Sequence, residues 1–201
     1  MKKDMDETLV YYDNNAEEFS SETVDVEFTD TQKRFLNYLS DNAYILDFGC
    51  GSGRDTKYFL DRGYSVESTD GSAELCKIAE ETAGVPVRQM LFSDLSEVDK
   101  YDGIWACSSI LHLSKSELQD VFEKMIRAIK CGGYIYTSFK YGEFEGYRNG
   151  RFFTDFTKEG FDIFISELDG VEIVEEWVSA DVRPGRQDEK WLNLILRKMR
   201  R

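Results

Sequence analysis

The stretch Tyr44-Ile45-Leu46-Asp47-Phe48-Gly49-Cys50-Gly51-Ser52-Gly53 decides how this chain folds. Tyr44 to Leu46 is a short apolar run with strand character, and residues 54 to 62 read as a helix. Between them three glycines at alternate positions let the backbone turn sharply and approach a ligand closely. Gly49, Cys50, Gly51 and Gly53 are therefore candidate binding positions. Dinucleotide binders need G-x-G-x-x-G, but Thr56 stands where the late glycine would fall, so no pyrophosphate cradle is written here. Asp47, just ahead of the first glycine, suits a cationic ligand better than a polyphosphate.

Outward from the turn, strands and helices alternate. Residues 64 to 69 and 85 to 90 read as strands and 72 to 82 as a helix. A buried strand follows at Gly103 to Cys107, and another at Tyr134 to Phe139. That is βαβ grammar, which implies parallel strands with right-handed crossovers. The helix between the last two presents Leu118, Val121, Phe122, Met125, Ile126 and Ile129 at spacings of three and four. Ser114 and Glu117 form a capping box before it, and Gly132 with Gly133 is expected to end it. After an irregular aromatic and glycine-rich segment, 140 to 153, comes a helix carrying Phe161, Phe164, Ile165 and Leu168. Strands at 171 to 178 and 191 to 196 are joined by a loop through Pro184-Gly185, too short for a parallel crossover, so they should pair antiparallel. The expectation is a three-layer α/β fold with a mostly parallel seven-stranded sheet and an antiparallel strand at its C-terminal end.

Residues 1 to 30 are polar and acidic, but Tyr11, Tyr12 and Phe19 suggest an N-terminal lid or helical segment. Thr29 and Gln32 have capping-box spacing for the next helix, which carries Phe35, Leu36 and Leu39. No repeat or Pro/Gly/Ser linker interrupts residues 31 to 201, which read as a single domain.

The chain has 201 residues, 41% of them hydrophobic, enough for one sizeable core. Lys and Arg number 25 against 39 Asp and Glu, a formal net charge of −14. Binding to nucleic-acid phosphates is disfavoured, because that affinity comes from neutralising backbone charge. The one basic run is the terminal Arg197-Lys198-Met199-Arg200-Arg201. Four cysteines, Cys50, Cys76, Cys107 and Cys131, with no CxxC pair and a single histidine, suggest neither a disulfide framework nor a metal site. No signal peptide and no run of eighteen apolar residues is present, so the expected location is cytoplasmic, with no membrane contact.

Asp70 ends the second strand in Ser68-Thr69-Asp70-Gly71-Ser72. In an open α/β sheet its carboxylate lies beside the glycine turn, within reach of ribose hydroxyls, and it also fits as a cap for the helix starting near Ser72.

Tyr44 to Ala79 resembles the first two motifs of class I S-adenosylmethionine-dependent methyltransferases, and later segments keep the family's order along nearly the whole chain. The resemblance implies a Rossmann-like fold and S-adenosyl-L-methionine as cofactor, with S-adenosyl-L-homocysteine as product. It assigns cofactor binding to Asp47, the glycine turn, Asp70, Gly71 and Ser72. Asp94 and Leu95 match the adenine-binding position, Cys107 and Ser108 the mouth where methyl transfer occurs, and Tyr12 an N-terminal cover. Gly53-Arg54-Asp55, Ser109-Ile110-Leu111-His112 and the segment from Arg183 to Asn193 look like small bacterial members related to tellurite-resistance methyltransferases.

Arg54 opens the helix after the turn and matches the cofactor's carboxylate in charge and reach. His112 follows strand four near the expected acceptor position. It reads either as a proton acceptor or as a packed imidazole bonded to backbone. Arg148, Arg151, Arg183 and Arg186 either bind an anionic acceptor or pair with the abundant acids. The expected activity is methyl transfer to a small-molecule or oxyanion acceptor. A tRNA or protein acceptor, or noncatalytic cofactor binding, are the alternatives, and no metal is expected.

Overall fold

The computed structural model describes residues 2–199, with side chains from residue 7 onward; Met1 and the Arg200-Arg201 end of the basic run lie outside the described residues. In chain order the helices are α1 (Lys2–Asn14), α2 (Ala16–Thr23), α3 (Thr29–Leu36), α4 (Arg54–Leu60), α5 (Ala73–Ala83), α6 (Lys115–Ala128) and α7 (Lys158–Ser166). The strands are β1 (Tyr44–Phe48), β2 (Ser65–Asp70), β3 (Val87–Gln89), β4 (Tyr101–Ala106), β5 (Ile129–Lys140), β6 (Glu145–Arg148), β7 (Arg151–Thr154), β8 (Val171–Ala180) and β9 (Lys190–Lys198).

Seven strands form one sheet in the order β3-β2-β1-β4-β5-β9-β8. All neighbours up to β5 are parallel, and β9 runs antiparallel to both β5 and β8, so one strand opposes the rest as the short Pro184-Gly185 connection requires.

Alternation along the central strands separates two apolar faces. Leu46, Ile104, Ile135 and Leu196 stand in register across β1, β4, β5 and β9 and pack with the buried face of α6 and with α7. One residue along, Asp47, Trp105, Tyr136 and Ile195 form the next row. Its apolar members pack with Phe35 of α3 and Phe59 of α4 on the opposite face. Trp105 and Tyr136 stack at 4.0 Å between centroids with planes 19° apart. Each fully buried side chain of this size contributes roughly 1.5–3 kcal/mol by leaving water, which makes these two faces the principal source of stability.

Several local expectations are corrected. Helix α6 has its Ser114–Glu117 capping box, but it stops at Ala128 and passes directly into β5 through extended Ile129. Gly132 and Gly133 lie inside β5, where the register against β4 shifts, rather than terminating the helix. Thr29 is the first residue of α3, not its cap, and Gln32 spends its side chain on Asp55 instead of closing a capping box. The segment 140 to 153 is not irregular: β6 and β7 pair as an antiparallel hairpin turning at Asn149-Gly150, both with positive φ.

Candidate functional site

The chain order reverses between β1 and β4, and at the carboxyl ends of these strands a cavity of about 300 Å³ opens, as switch points in such sheets dictate. Its floor is the glycine turn. Gly49, Gly51 and Gly53 have φ of 85°, 55° and 80°, a left-handed region that side chains avoid. A Cβ on Gly49 would meet Ser109 Cβ at 2.4 Å, and one on Gly53 would meet the backbone of Ala79 at 2.9 Å. Backbone N–H groups of Gly49 and Cys50 both donate to the Thr69 carbonyl at 2.9 Å, tying the turn to the end of β2.

Asp70 lines the cavity from the tip of β2. One carboxylate oxygen accepts from the Gly51 N–H and the other from the Ser72 N–H, each at 2.9 Å. Burial raises its pKa, and these backbone bonds oppose the rise. Gly71 also lines the cavity, whereas Ser72 is buried behind it, capping α5 through Leu75 and donating to Asp13 of α1 at 2.6 Å.

Asp47 does not reach the cavity. It lies beneath the turn, accepting from Thr56 at 2.6 Å, and burial together with the nearby Asp55 raises its pKa. Its contribution is to brace the turn, since Thr56 also bonds Ser68 of β2 at 2.8 Å. Arg54 does line the cavity, but Asp55 holds it through two parallel bonds of 2.8 and 2.9 Å. Asp55 further accepts from Trp105 at 2.8 Å and Gln32 at 2.6 Å, so the guanidinium is a fixed wall, stacked 4.7 Å over Phe28.

The third-strand position divides differently from expectation. Asp94 is exposed on a short helical turn and Leu95 is buried in the core, and neither lines the cavity. Met90, Leu91 and Phe92 do, with Leu75, making an apolar wall beside Asp70.

On the opposite side stand Cys107, Ser108 and Ser109 after β4. Ser108 has a positive φ of 51° and is held by Ser138 of β5 through its N–H at 2.9 Å. Burial and the negative Asp55 push the Cys107 thiol up to about 12, so it stays protonated. His112 is placed by the helical turn that follows. Its Nδ1 lies 2.6 Å from the Phe152 carbonyl, which can only accept, so Nδ1 carries the proton. Nε2 then accepts from the Tyr12 hydroxyl at 2.8 Å. Burial lowers the imidazole to about 4, helped by the charge of Arg151.

Residues of α1 and α2 roof the cavity: Thr8, Leu9, Tyr12, Phe19 and Thr23 all line it. The roof is pinned by Thr8 accepting from the Phe152 N–H at 3.1 Å and by Thr23 donating to Ser52 at 3.2 Å. All four candidate arginines line the cavity, but not equivalently. Arg148 pairs with Asp155; Arg183 grips Asp181 through its backbone N–H and guanidinium; Arg186 reaches Glu22 of α2 at 3.7 Å. Arg151 has no carboxylate partner among the described residues. Its guanidinium lies 4.5 Å over Tyr11 and 3.4 Å from the Tyr12 hydroxyl, with a buried Nε lacking an acceptor.

Sequence reasoning did not single out the roof residues Thr8, Leu9 and Thr23, nor the wall from Met90 to Phe92. Aromatic residues in an acidic N-terminal segment were the only signal for the first group, and an apolar run entering a loop was the signal for the second.

Among the described residues no group of three or more His, Cys, Asp or Glu side chains could hold a metal ion. No helix among them is long and apolar enough to cross a membrane. Residues 45–133 match the family described as methyltransferase domain. An uncharacterized methyltransferase of Staphylococcus carnosus (strain TM300) is 28% identical over 100 residues, covering 49% of this chain and 48% of that protein. The chain spans about half the length of the curated relatives it matches. Among solved structures it is similar to the Burkholderia thailandensis 1,6-didemethyltoxoflavin-N1-methyltransferase with bound 1,6-didemethyltoxoflavin and S-adenosylhomocysteine. The TM-score is 0.73 at 19% identity, over 95% of this chain and 85% of that one. The N-methyltransferase NodS of Bradyrhizobium japonicum WM9, in complex with S-adenosylhomocysteine, gives 0.70 at 14% identity over 92% and 97%. At these identities the likeness is one of fold.

Proposed function

We propose that this chain, which carries a class I S-adenosylmethionine-dependent methyltransferase domain at residues 45–133, transfers the cofactor's methyl group to a small-molecule or oxyanion acceptor by in-line displacement. One observation carries this reading. Asp70 stands at the end of β2 beside a turn of three left-handed glycines, its carboxylate lining the cavity where ribose hydroxyls would reach it. The apolar wall from Met90 to Phe92 suits an adenine ring, and Gly49 and Gly51 of the turn line the same cavity, with Phe19 of the roof packed over Gly51.

S-adenosylmethionine supplies a strongly electrophilic methyl on a sulfonium, so the protein's work is binding, alignment and exclusion of water. The segment that carries Thr8, Leu9, Tyr12, Phe19 and Thr23 serves as the cover that excludes water. Cys107 and Ser108 stand where the transfer mouth is expected, and the Tyr12–His112 pair, its imidazole held neutral by burial, orients a protic acceptor through the tyrosine hydroxyl. An oxyanion acceptor needs no base. The net charge of −14 favours a small acceptor over a nucleic acid.

Calorimetric titration with S-adenosylhomocysteine tests the reading, with a nicotinamide dinucleotide as control and Asp70→Ala as the site variant. Micromolar binding that disappears in the variant is the expected result. Dinucleotide binding in place of S-adenosylhomocysteine would refute it.

A further inference from the structure

Five arginines line one cavity in an acidic protein, and their surroundings divide them. Asp155, Asp181 and Glu22 occupy Arg148, Arg183 and Arg186. Arg54 and Lys140, also at the cavity, are held by Asp55 and Glu189. Arg151 alone among these cations has no carboxylate within ion-pair distance among the described residues.

The position is built. Arg151 begins β7, whose pairing with β6 fixes its backbone through the Arg148–Arg151 register. Tyr11, Tyr12 and Phe153 surround its guanidinium at 4.5, 5.7 and 5.3 Å from their centroids, restricting its rotation. Of five N–H donors one is spent on the Tyr12 hydroxyl, at a long 3.4 Å, and the Nε is buried with no acceptor. The outer N–H groups of the guanidinium therefore keep unused donors that an oxygen acceptor in the cavity would satisfy. A guanidinium fork matches a carboxylate or phosphate edge through two parallel bonds.

We infer that Arg151 is an anion-anchoring site: the acceptor carries a carboxylate or phosphate group that docks on this guanidinium while another atom of the same molecule takes the methyl. This rests on the methyltransferase reading and narrows its acceptor class to small anionic molecules. The anchor is fixed beside the Tyr12–His112 pair, which places the remainder of the molecule in the same cavity. The three paired arginines shape the rim without recognising the acceptor's charge.

Binding of three benzene derivatives tests the inference without knowledge of the natural acceptor: benzoate, phenyl phosphate and neutral benzamide, each titrated with and without saturating S-adenosylhomocysteine. His112 is the chain's only histidine, so nitrogen-15 histidine labelling gives one resonance pair that reports events at Arg151. Saturable binding of benzoate or phenyl phosphate is expected, with benzamide at least tenfold weaker. Preference between the two anions identifies the anchor as carboxylate or phosphate. Arg151→Met should lose at least tenfold in anion affinity, Arg151→Lys should fall between, and Arg88→Met, at a residue that pairs with Glu67 and Glu97 outside the cavity, should match wild type. Equal benzamide binding, full retention by Arg151→Met, or no saturable anion binding would overturn the inference. S-adenosylhomocysteine affinity is measured on the same samples: its retention shows that each variant is folded, and its absence from wild type counts against the cofactor reading instead.

Discussion

Tyr12 and His112, 100 residues apart, share a hydrogen bond of 2.8 Å in which the phenol donates to Nε2, because Nδ1 is committed to the Phe152 carbonyl 2.6 Å away. The bond joins the first helix to the turn after β4. It also changes the role open to His112: the imidazole reaches an acceptor's proton only through the tyrosine hydroxyl.

The pair has a measurable consequence for stability. Burial lowers His112 in the folded protein to about 4, against about 6.5 in an unfolded chain. Between those values the unfolded chain binds the proton and the folded one does not, so this contribution is present above about pH 6.5 and lost as the pH falls to about 4. The full difference is about 3 kcal/mol. Urea unfolding of wild type and His112→Gln at pH 4.5 and 7 should show a smaller acid loss in the variant, and parallel losses would rule the account out.

Removing only the phenolic oxygen addresses the tautomer. In Tyr12→Phe the Phe152 carbonyl still accepts, so Nδ1 should keep its proton while the Nε2 resonance moves. The lost bond should cost about 1–3 kcal/mol, because Nε2 is left without its donor in a largely buried site. Nitrogen-15 histidine spectra and a thermal melt measure both.

Two glycines with nearly equal φ separate backbone strain from steric contact. Gly63, at 84°, has nothing within 4 Å of an added Cβ, so Gly63→Ala should cost about 1–2 kcal/mol from the left-handed conformation alone. Gly49, at 85°, would drive a Cβ into Ser109. Gly49→Ala should cost a further 1–3 kcal/mol or so and abolish S-adenosylhomocysteine binding. Equal denaturation midpoints for the two variants would contradict the close approach.

Asp55 accepts from Arg54, Trp105 and Gln32 inside the fold. Asp55→Asn keeps the shape but turns one oxygen into a donor and leaves Arg54 without its counter-charge. A loss of about 3–5 kcal/mol is expected in chemical denaturation. A loss below about 1 kcal/mol would mean that the network contributes little.

The sheet and its two faces were legible in the residues because strand alternation and helix spacing are local patterns imposed by backbone geometry. The turn of Gly49, Gly51 and Gly53 was legible for the same reason: only glycine tolerates those angles there. The β6–β7 hairpin was not read, although Asn149-Gly150 is a turn signal, because its flanking residues mix aromatic, charged and glycine positions. The Gly132-Gly133 pair misled because glycine ends helices and forms bulges alike, and only the pairing of β5 with β4 selects between them.

By itself the sequence determined the alternation of strands and helices from β1 to β5 and the glycine turn, since each follows from neighbours within a few residues, whereas Asp70 comes beside the turn through the parallel pairing of β1 with β2. Tertiary structure alone decided which charged side chains are spent and which are free. Asp47 is buried under the turn, Arg54 is held by Asp55, and Arg148, Arg183 and Arg186 are paired, while Arg151 keeps open donors. The physical reason is that an ion pair depends on distance and desolvation between groups that chain order leaves far apart, such as Arg186 and Glu22 or Tyr12 and His112, and only the folded chain sets those distances.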